Sequence, residues 1–458
     1  MSLLKKLMGI GDASVPYPFS RDYFRDVANS RSAPELICAM NDYSGYMRQA
    51  AVERAVELCL PDFAPAFVAR LNDWVPQVRD AARSALLVLL PVIPADAALA
   101  ILPAIVNLRH AGRYDQGDWL DRIECELLGQ LTPALLFAGV RAADAKVARA
   151  CFDVLYRHAA LATAQLIVAA LASRSDIIIG RKAAALIHAT PTATQPALYR
   201  AALRSRFGVV RTMGARGYLT LASVAQRHKL RIATNLLLDT QASVRATAIA
   251  WLGEHHGDAR LVYHKVLATP SSPALALRIC LATLGSLRHC DDAACVSAFT
   301  SHPVSAVRAA AYAAWLKLAE RDKDTIAAAA LDDAAERVRK AAFDMVTTQG
   351  AYIAFPAVLS TLMKRQDWQL LLRFGRLEKW NWLEAITRLA PGDSEPLRQM
   401  LATDLQAWLG RASSFTRPTA AQLAFLQQEH VLMALGTLAG PERDLRALLA
   451  RELSVAGR

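Results

Sequence analysis

Long apolar runs are missing from this sequence. Nowhere do about 18 apolar residues follow one another, which excludes a membrane-spanning helix. Cysteine is scarce as well: seven in 458 residues, an odd and thinly spread set, exclude a disulfide-stapled secreted scaffold. The first ten residues place Lys5 and Lys6 inside an apolar stretch and offer no small-residue cleavage site, the reverse of a signal peptide. No glycine-rich phosphate loop, no Gly-x-Ser-x-Gly elbow and no His-Glu-x-x-His pair occurs, so the common catalytic and cofactor signatures are absent. What is present is ample material for more than one core: 54% of residues are hydrophobic and 21% charged, which excludes global disorder. The expectation is a soluble cytoplasmic protein in a reducing compartment. It should have no membrane span, no cofactor, no metal and no small-molecule substrate.

A short pattern recurs through the chain, an apolar residue or Gly, then Arg, then any residue, then Ala-Ala. Copies stand at Met47–Ala51, Val78–Ala82, Gly180–Ala184, Val307–Ala311 and Val338–Ala342, with degenerate ones at Val210-Arg211, Val244-Arg245, Leu277-Arg278 and Leu372-Arg373. From Arg181 onward the arginines fall at 181, 211, 245, 278, 308, 339 and 373, a step of 30 to 34 residues. Six residues ahead of the arginine stand Asp42, Asp73, Asp239, Asp333 and Asp367, with Ser175, Ser272 or His302 in other copies. Asp and Ser are helix N-cap residues, because a short side-chain oxygen accepts a bond from an orphan backbone N–H. Behind the arginine, apolar residues keep helical spacing, as in Val244, Ala248, Trp251 and Leu252. Ahead of the Asp lies another apolar helix, such as Phe63–Leu71 or 325–331. Each unit therefore reads as helix, tight turn, helix, and the Ala pair lets neighbouring repeats approach closely. One such hairpin cannot bury its apolar face alone, so the units must stack.

This pattern resembles HEAT-like repeats, particularly the short variety of phycobilisome-lyase-type proteins. The resemblance covers roughly residues 32–388 and implies an all-α fold, a right-handed α-solenoid of helical hairpins. It departs between Arg79 and Arg181, where the unit near Asp121-Arg122 is stretched and Ala148 takes the arginine's place. Tetratricopeptide and ankyrin signatures are absent. The expected organisation is an irregular lead-in over 1–31, the repeats over 32–388 and a helical cap over 389–458. Ser32-Ala-Pro-Glu35 reads as a capping box opening the first regular helix. Later helices are expected over 397–409 and 420–438, with Arg411–Pro418 as a loop.

Charge is unevenly spread. The chain carries +12 overall, and residues 141–235 alone carry the same excess, from 15 basic and 3 acidic side chains. Residues 1–140 are net −3, and no acidic residue lies between Asp176 and Asp239. Arg181 and Arg211 occupy the repeat's structural slot. The remaining bases Arg200, Arg204, Arg206, Arg216, Arg227, Lys229 and Arg231 form a candidate partner-binding patch, because single-sign fields steer partners of opposite sign. Arg200 and Arg204 share one face of a helix expected over 196–207. A solvated face with no partner is the plainer account of such a run.

Other clusters are weaker. Glu254-His255-His256-Gly257-Asp258 with His264 offers metal ligands, but a zinc site needs three or four that converge. His289-Cys290 with Cys295 lacks a second pair. Resemblance to HEAT-like deoxyhypusine hydroxylase would require repeated His-Glu pairs, and this chain has none. Trp251, Trp315 and Trp368 fit core packing better than a DNA-glycosylase site. Trp380-Asn-Trp382 reads either as an exposed aromatic anchor or as core of the cap. The leading expectation is a non-catalytic scaffold or adaptor that binds a protein partner with an acidic surface. The alternative is a nucleic-acid-binding module using the same patch.

Overall fold

The computed structural model describes residues 21–111, 117–173, 175–319, 321–389, 395–409 and 417–439. Most of the expected loop at 411–418 and of the lead-in at 1–31 lies outside these residues. Among the described residues every regular element is a helix. The chain divides into two compact units, residues 1–237 with 241–254, and residues 238–240 with 255–458.

The first unit holds α1 (Arg21–Asn29), α2 (Ala33–Ala39), α3 (Gly45–Leu58), α4 (Ala64–Arg70), α5 (Pro76–Leu89), α6 (Ala95–Asn107) and α7 (Gly117–Gly139). These are followed by α8 (Ala145–Arg157), α9 (Thr163–Leu171), α10 (Ile177–Leu186), α11 (Gln195–Leu203), α12 (Gly208–Thr220), α13 (Gln226–Leu236) and α14 (Ala242–Glu254). Consecutive helices pair as hairpins and then stack in two layers. First helices touch first helices, as α4 touches α6 and α9 touches α11. Second helices, which carry the repeat arginine, touch second helices: α3 with α5, α10 with α12, α12 with α14. The stretched unit is one continuous assignment interrupted at Thr132, whose φ of 51° breaks α7 just before Pro133. A Cβ on Gly217 of α12 would fall 2.1 Å from the Tyr199 ring of α11, so only glycine admits that helix contact.

The second unit holds α15 (Ala259–Leu267), α16 (Ala274–Leu287), α17 (Ala293–Ser297), α18 (Ser305–Leu318), α19 (Lys323–Leu331), α20 (Glu336–Thr348), α21 (Phe355–Lys364) and α22 (Trp368–Gly375). It closes with α23 (Lys379–Leu389), α24 (Glu395–Leu409), α25 (Ala420–Leu426) and α26 (Glu429–Ala439). Its second helices α16, α18, α20 and α22 stack in sequence. The helix expected over 420–438 is thus two, parted at Gln427 and Gln428, and a complete capping box of Thr419 and Gln422 opens the first. Only half of the expected box exists at Ser32: its Oγ accepts the Glu35 N–H, while the Glu35 carboxylate accepts from Ser30. Trp380 and Trp382 are both 2% exposed, so they are core of the second unit and not an exposed anchor. The architecture is an all-α solenoid of stacked helical hairpins within each unit.

Candidate protein-binding surface

The repeat arginine links one hairpin to the next. Arg48 donates from Nη1 to the carbonyls of Asp42 and Tyr43 in its own turn, and from Nε and Nη2 to both oxygens of Asp73, at 2.9 and 2.7 Å. Asp73 belongs to the following turn. The same fork joins Arg308 to Asp333, and Arg339 donates from Nε and Nη2 to a single oxygen of Asp367, at 2.8 and 2.6 Å. Bidentate guanidinium–carboxylate pairs fix geometry as well as energy, so each rung sets the stagger of adjacent hairpins. The aspartates are not the N-caps that their position suggested in most copies. Asp42, Asp73 and Asp333 each accept the N–H two residues on and thereby shape the turn, whereas Ser44, Val75 and Ala335 are the cap residues. Asp367 does cap α22, through the Leu370 N–H. Burial pushes the Asp73 carboxyl up, but bonds from Arg48 and the Val75 N–H, with the charges of Arg48 and Arg70, bring it below its ordinary value.

A rung forms where the next turn supplies Asp. Arg181 faces a following turn with Ser205 in that place, and Arg278 one with His302; both arginines are exposed. Treating Arg181 as a structural residue is therefore corrected. One hairpin earlier, where Ala148 takes the arginine's slot, its neighbour Arg149 of α8 makes the rung instead, reaching Asp176, the N-cap of α10, at 2.6 and 2.8 Å.

The basic window is distributed over three helices and the turn between two of them. Arg200 lies on α11 and Arg204 is its C-cap, Arg206 follows in the turn, Arg216 lies on α12, and Arg227, Lys229 and Arg231 lie on α13. The helix expected over 196–207 ends at Leu203, because the chain turns at Ser205, whose buried Oγ accepts the Phe207 N–H. Arg200 and Arg204 are consequently not a pair along one continuing helix, and Arg200 donates back to the Pro196 carbonyl. All seven bases are exposed except Lys229, which is half-buried. The two layers separate them: Arg200, Arg227, Lys229 and Arg231 ride on first helices, and Arg216 on a second helix.

Two clefts in the first unit include window residues. Arg204, Ser205 and Arg206 border one of about 470 Å³ beside Val168, Leu171 and Ser173 of the preceding hairpin. Arg216 borders another of about 390 Å³ between α12 and α14, whose far wall includes Trp251 and Glu254.

The histidine clusters serve the frame. Asp258 caps α15, and His264 of that helix joins Arg260 on the buried Asp292 at 2.8 and 2.7 Å. A second network escaped sequence reading: the fully buried Glu124 accepts from Arg109 at 3.0 Å, from Arg157 and from His158 at 2.8 Å. Its ligand-type atoms, with Asp121, lie within 4.8 Å of one another, but two guanidinium cations already occupy the carboxylates. That charge balance makes it an ion-pair network. The signal was present, since Arg157-His158 stands one repeat length beyond Glu124. All seven cysteines are free thiols, and burial raises that of Cys151 to about 12. No helix among the described residues is long and apolar enough to cross a membrane.

No family model matches the chain, and no curated protein does. Among solved structures, Kap121p, a HEAT-repeat solenoid, aligns with 89% of this chain and 46% of its own at 13% identity and a TM-score of 0.24. Kap121p bound to Ste12p aligns with 93% and 45% at 13% identity and a TM-score of 0.25. This chain thus spans less than half the length of the solved chains it matches.

Proposed function

We propose that this protein is a non-catalytic, cytoplasmic scaffold that holds an acidic protein partner against the basic window of the first unit. The short repeat period supports the narrower likeness to phycobilisome-lyase-type HEAT repeats, with residues 1–31 as lead-in and 389–458 as a helical cap. One observation carries the reading. From residue 177 to 238 the chain has no acidic side chain, and Arg200, Arg204, Arg206, Arg216, Arg227 and Arg231 all reach solvent there. A field of one sign costs self-repulsion in the free protein and is relieved by a partner of opposite sign. Arg181, exposed for want of an aspartate opposite, adds to the field.

The test is a pull-down from the source cell with and without nuclease, repeated with Arg200, Arg204, Arg227 and Arg231 all changed to Glu. A saturable complex that survives nuclease and is lost in the variant, at unchanged melting temperature, supports the reading. Capture that nuclease abolishes, with log affinity for unrelated duplexes falling linearly in log salt, replaces the protein partner with nucleic acid.

A further inference from the structure

The opposite charge has its own groove, at the start of the first unit and outside the basic window. Helices α3 and α5 lie side by side in the second layer and leave an open groove of about 520 Å³ between them. Its walls carry Glu53 and Val56 from α3 and Asp80, Ala81, Ala85 and Val88 from α5; of the nine residues that line it, two are acidic and none basic. Glu53 accepts from Gln49 at 2.8 Å, and Asp80 forms a surface ion pair with Arg83 at 3.8 Å, worth little to Asp80, with 71% of its side chain in solvent.

Aromatic side chains crowd the turns at one end of these helices. Tyr43 is 87% exposed, Tyr46 74% and Trp74 62%, and Val88 on the groove wall is 51% exposed. Tyr43 and Trp74 each follow the turn aspartate directly, so successive hairpins present them at equivalent places. The Arg48 guanidinium that locks both turns lies 5.5 Å from the Trp74 ring, which holds that ring in place. Tyr46 stands one helical turn before Gln49. Single exposed apolar residues are ordinary, but large ones gathered at one end of a groove mark a docking site.

We propose that this groove binds a basic amphipathic helix of a partner protein. From Gln77 to Val88 along α5 the groove runs eleven residues of helix, about 16 Å, enough for three turns of a docked helix. Ala81 and Ala85 form a low floor on which aliphatic side chains can seat, the usual arrangement for a helix laid in a groove. Glu53 and Asp80, on facing walls, meet Lys or Arg on its two flanks, and the exposed rings of Tyr46 and Trp74 take a cation at the end. A charge-matched segment satisfies both features together; a purely apolar helix would leave the two carboxylates facing hydrocarbon.

The experiment uses the full chain and a fluorescent peptide of roughly 18 residues of Leu, Ala and Lys with helical periodicity. A mirror peptide has Glu for every Lys. Fluorescence anisotropy at about 0.1 M salt should show saturable binding of the Lys peptide and none of the Glu peptide. Glu53→Lys combined with Asp80→Lys should weaken it by at least about tenfold. Tyr46→Ala combined with Trp74→Ala should do the same with the charges intact. The fourfold Arg-to-Glu change in the basic window should leave this binding unaltered, which separates the groove from the proposed function. Equal binding of the two peptides, no binding, or full affinity in either double variant would overturn the proposal. So would a dimer of the unmodified chain that Glu53→Lys dissolves, since the groove would then belong to a second copy.

Discussion

Two grooves of the first unit have the same construction and opposite character. One lies between α3 and α5, the other between α12 and α14, and both are floored by positions counted from the repeat arginine. Five residues after that arginine stands Glu53 in the first and Arg216 in the second; eight after it stand Val56 and Leu219. On the facing helix, six residues after the arginine, Ala85 borders the first groove, of about 520 Å³, and Trp251, 7% exposed, walls the second, of about 390 Å³. Nine after it, Val88 is matched by Glu254. The repeat thus separates two tasks within one helix. Buried positions such as the sixth past the arginine keep the stack, and the solvent-facing fifth and ninth give each groove its character.

The sharpest way to break the comparison is to remove what holds the first groove's walls in register. Arg48→Ala leaves the Asp73 carboxylate, whose side chain is 2% exposed, without its main partner. Breaking a buried pair from one side costs about 3–5 kcal/mol. The expected outcome is a fall of that size in urea-unfolding free energy, with loss of peptide binding at the α3–α5 groove. A decrease below about 1 kcal/mol, the value of a surface pair, would mean the rung does not organise the stack.

Acid should weaken the same rungs. Asp73 and Asp333 are held below the ordinary carboxyl range: burial raises each, and arginine bonds, backbone N–H bonds and arginine charges outweigh it. Asp176 is held low chiefly by its bond from Arg149. A depressed folded value means that the stabilisation is complete above the unfolded value, about 4, and is lost as pH falls through the folded one. Urea midpoints should therefore stay level from neutral pH to about 5 and decline below about 4. Asp73→Asn should start less stable and decline less. The turn that precedes the second groove has Ser205 in the aspartate's place, so its contribution should not follow this curve.

Much of this organisation was legible in the sequence, and the part that was not has physical reasons. The arginine beat and the Ala pairs gave helix, turn, helix, because helical spacing and close packing are local demands. The partner of each arginine could not be read from the sequence. Asp stands six residues before it in sequence, but the bond runs to the Asp of the following turn, which only the stacked structure brings near. Once that is known, the exposure of Arg181 and Arg278 follows from Ser205 and His302. The seven window bases were legible as charge but not as two layers, since layer depends on the chain turning at Ser205. The aromatic turn residues Tyr43 and Trp74 carried no signal beyond lying next to an aspartate. Burial of Trp380 and Trp382 needed the packing of α23 against α22 and α24.

The missing rung can be built. Ser205→Asp places a carboxylate where Arg181 should find it, and a bidentate pair closed at the surface contributes roughly 1 kcal/mol or less. The urea midpoint should rise by that equivalent. Arg181 should also leave the exposed field, so binding of an acidic polymer such as poly-glutamate should weaken slightly. A variant less stable than the parent would show that the α10–α12 spacing, not the absent aspartate, keeps Arg181 in solvent.

The smallest stability effect goes with the most direct test of the division of tasks. Glu53→Arg and Arg216→Glu exchange the charge at equivalent sites, both on groove walls and neither in the arginine rungs. Surface changes away from packing features are usually within about 0.5 kcal/mol, so each variant should unfold close to the parent. Binding should move much further. Glu53→Arg should reject the Lys peptide, because a cation now stands where its flank would dock. Arg216→Glu should weaken the acidic polymer while leaving the Lys peptide on α3–α5 untouched, since Arg216 lies outside that groove. Adding Trp251→Ala to Arg216→Glu should then let the second groove accept the Lys peptide, as the first does. If that double variant folds and still refuses the peptide, the position five residues past the arginine does not set the groove's preference, and the aromatic turn of the first groove does.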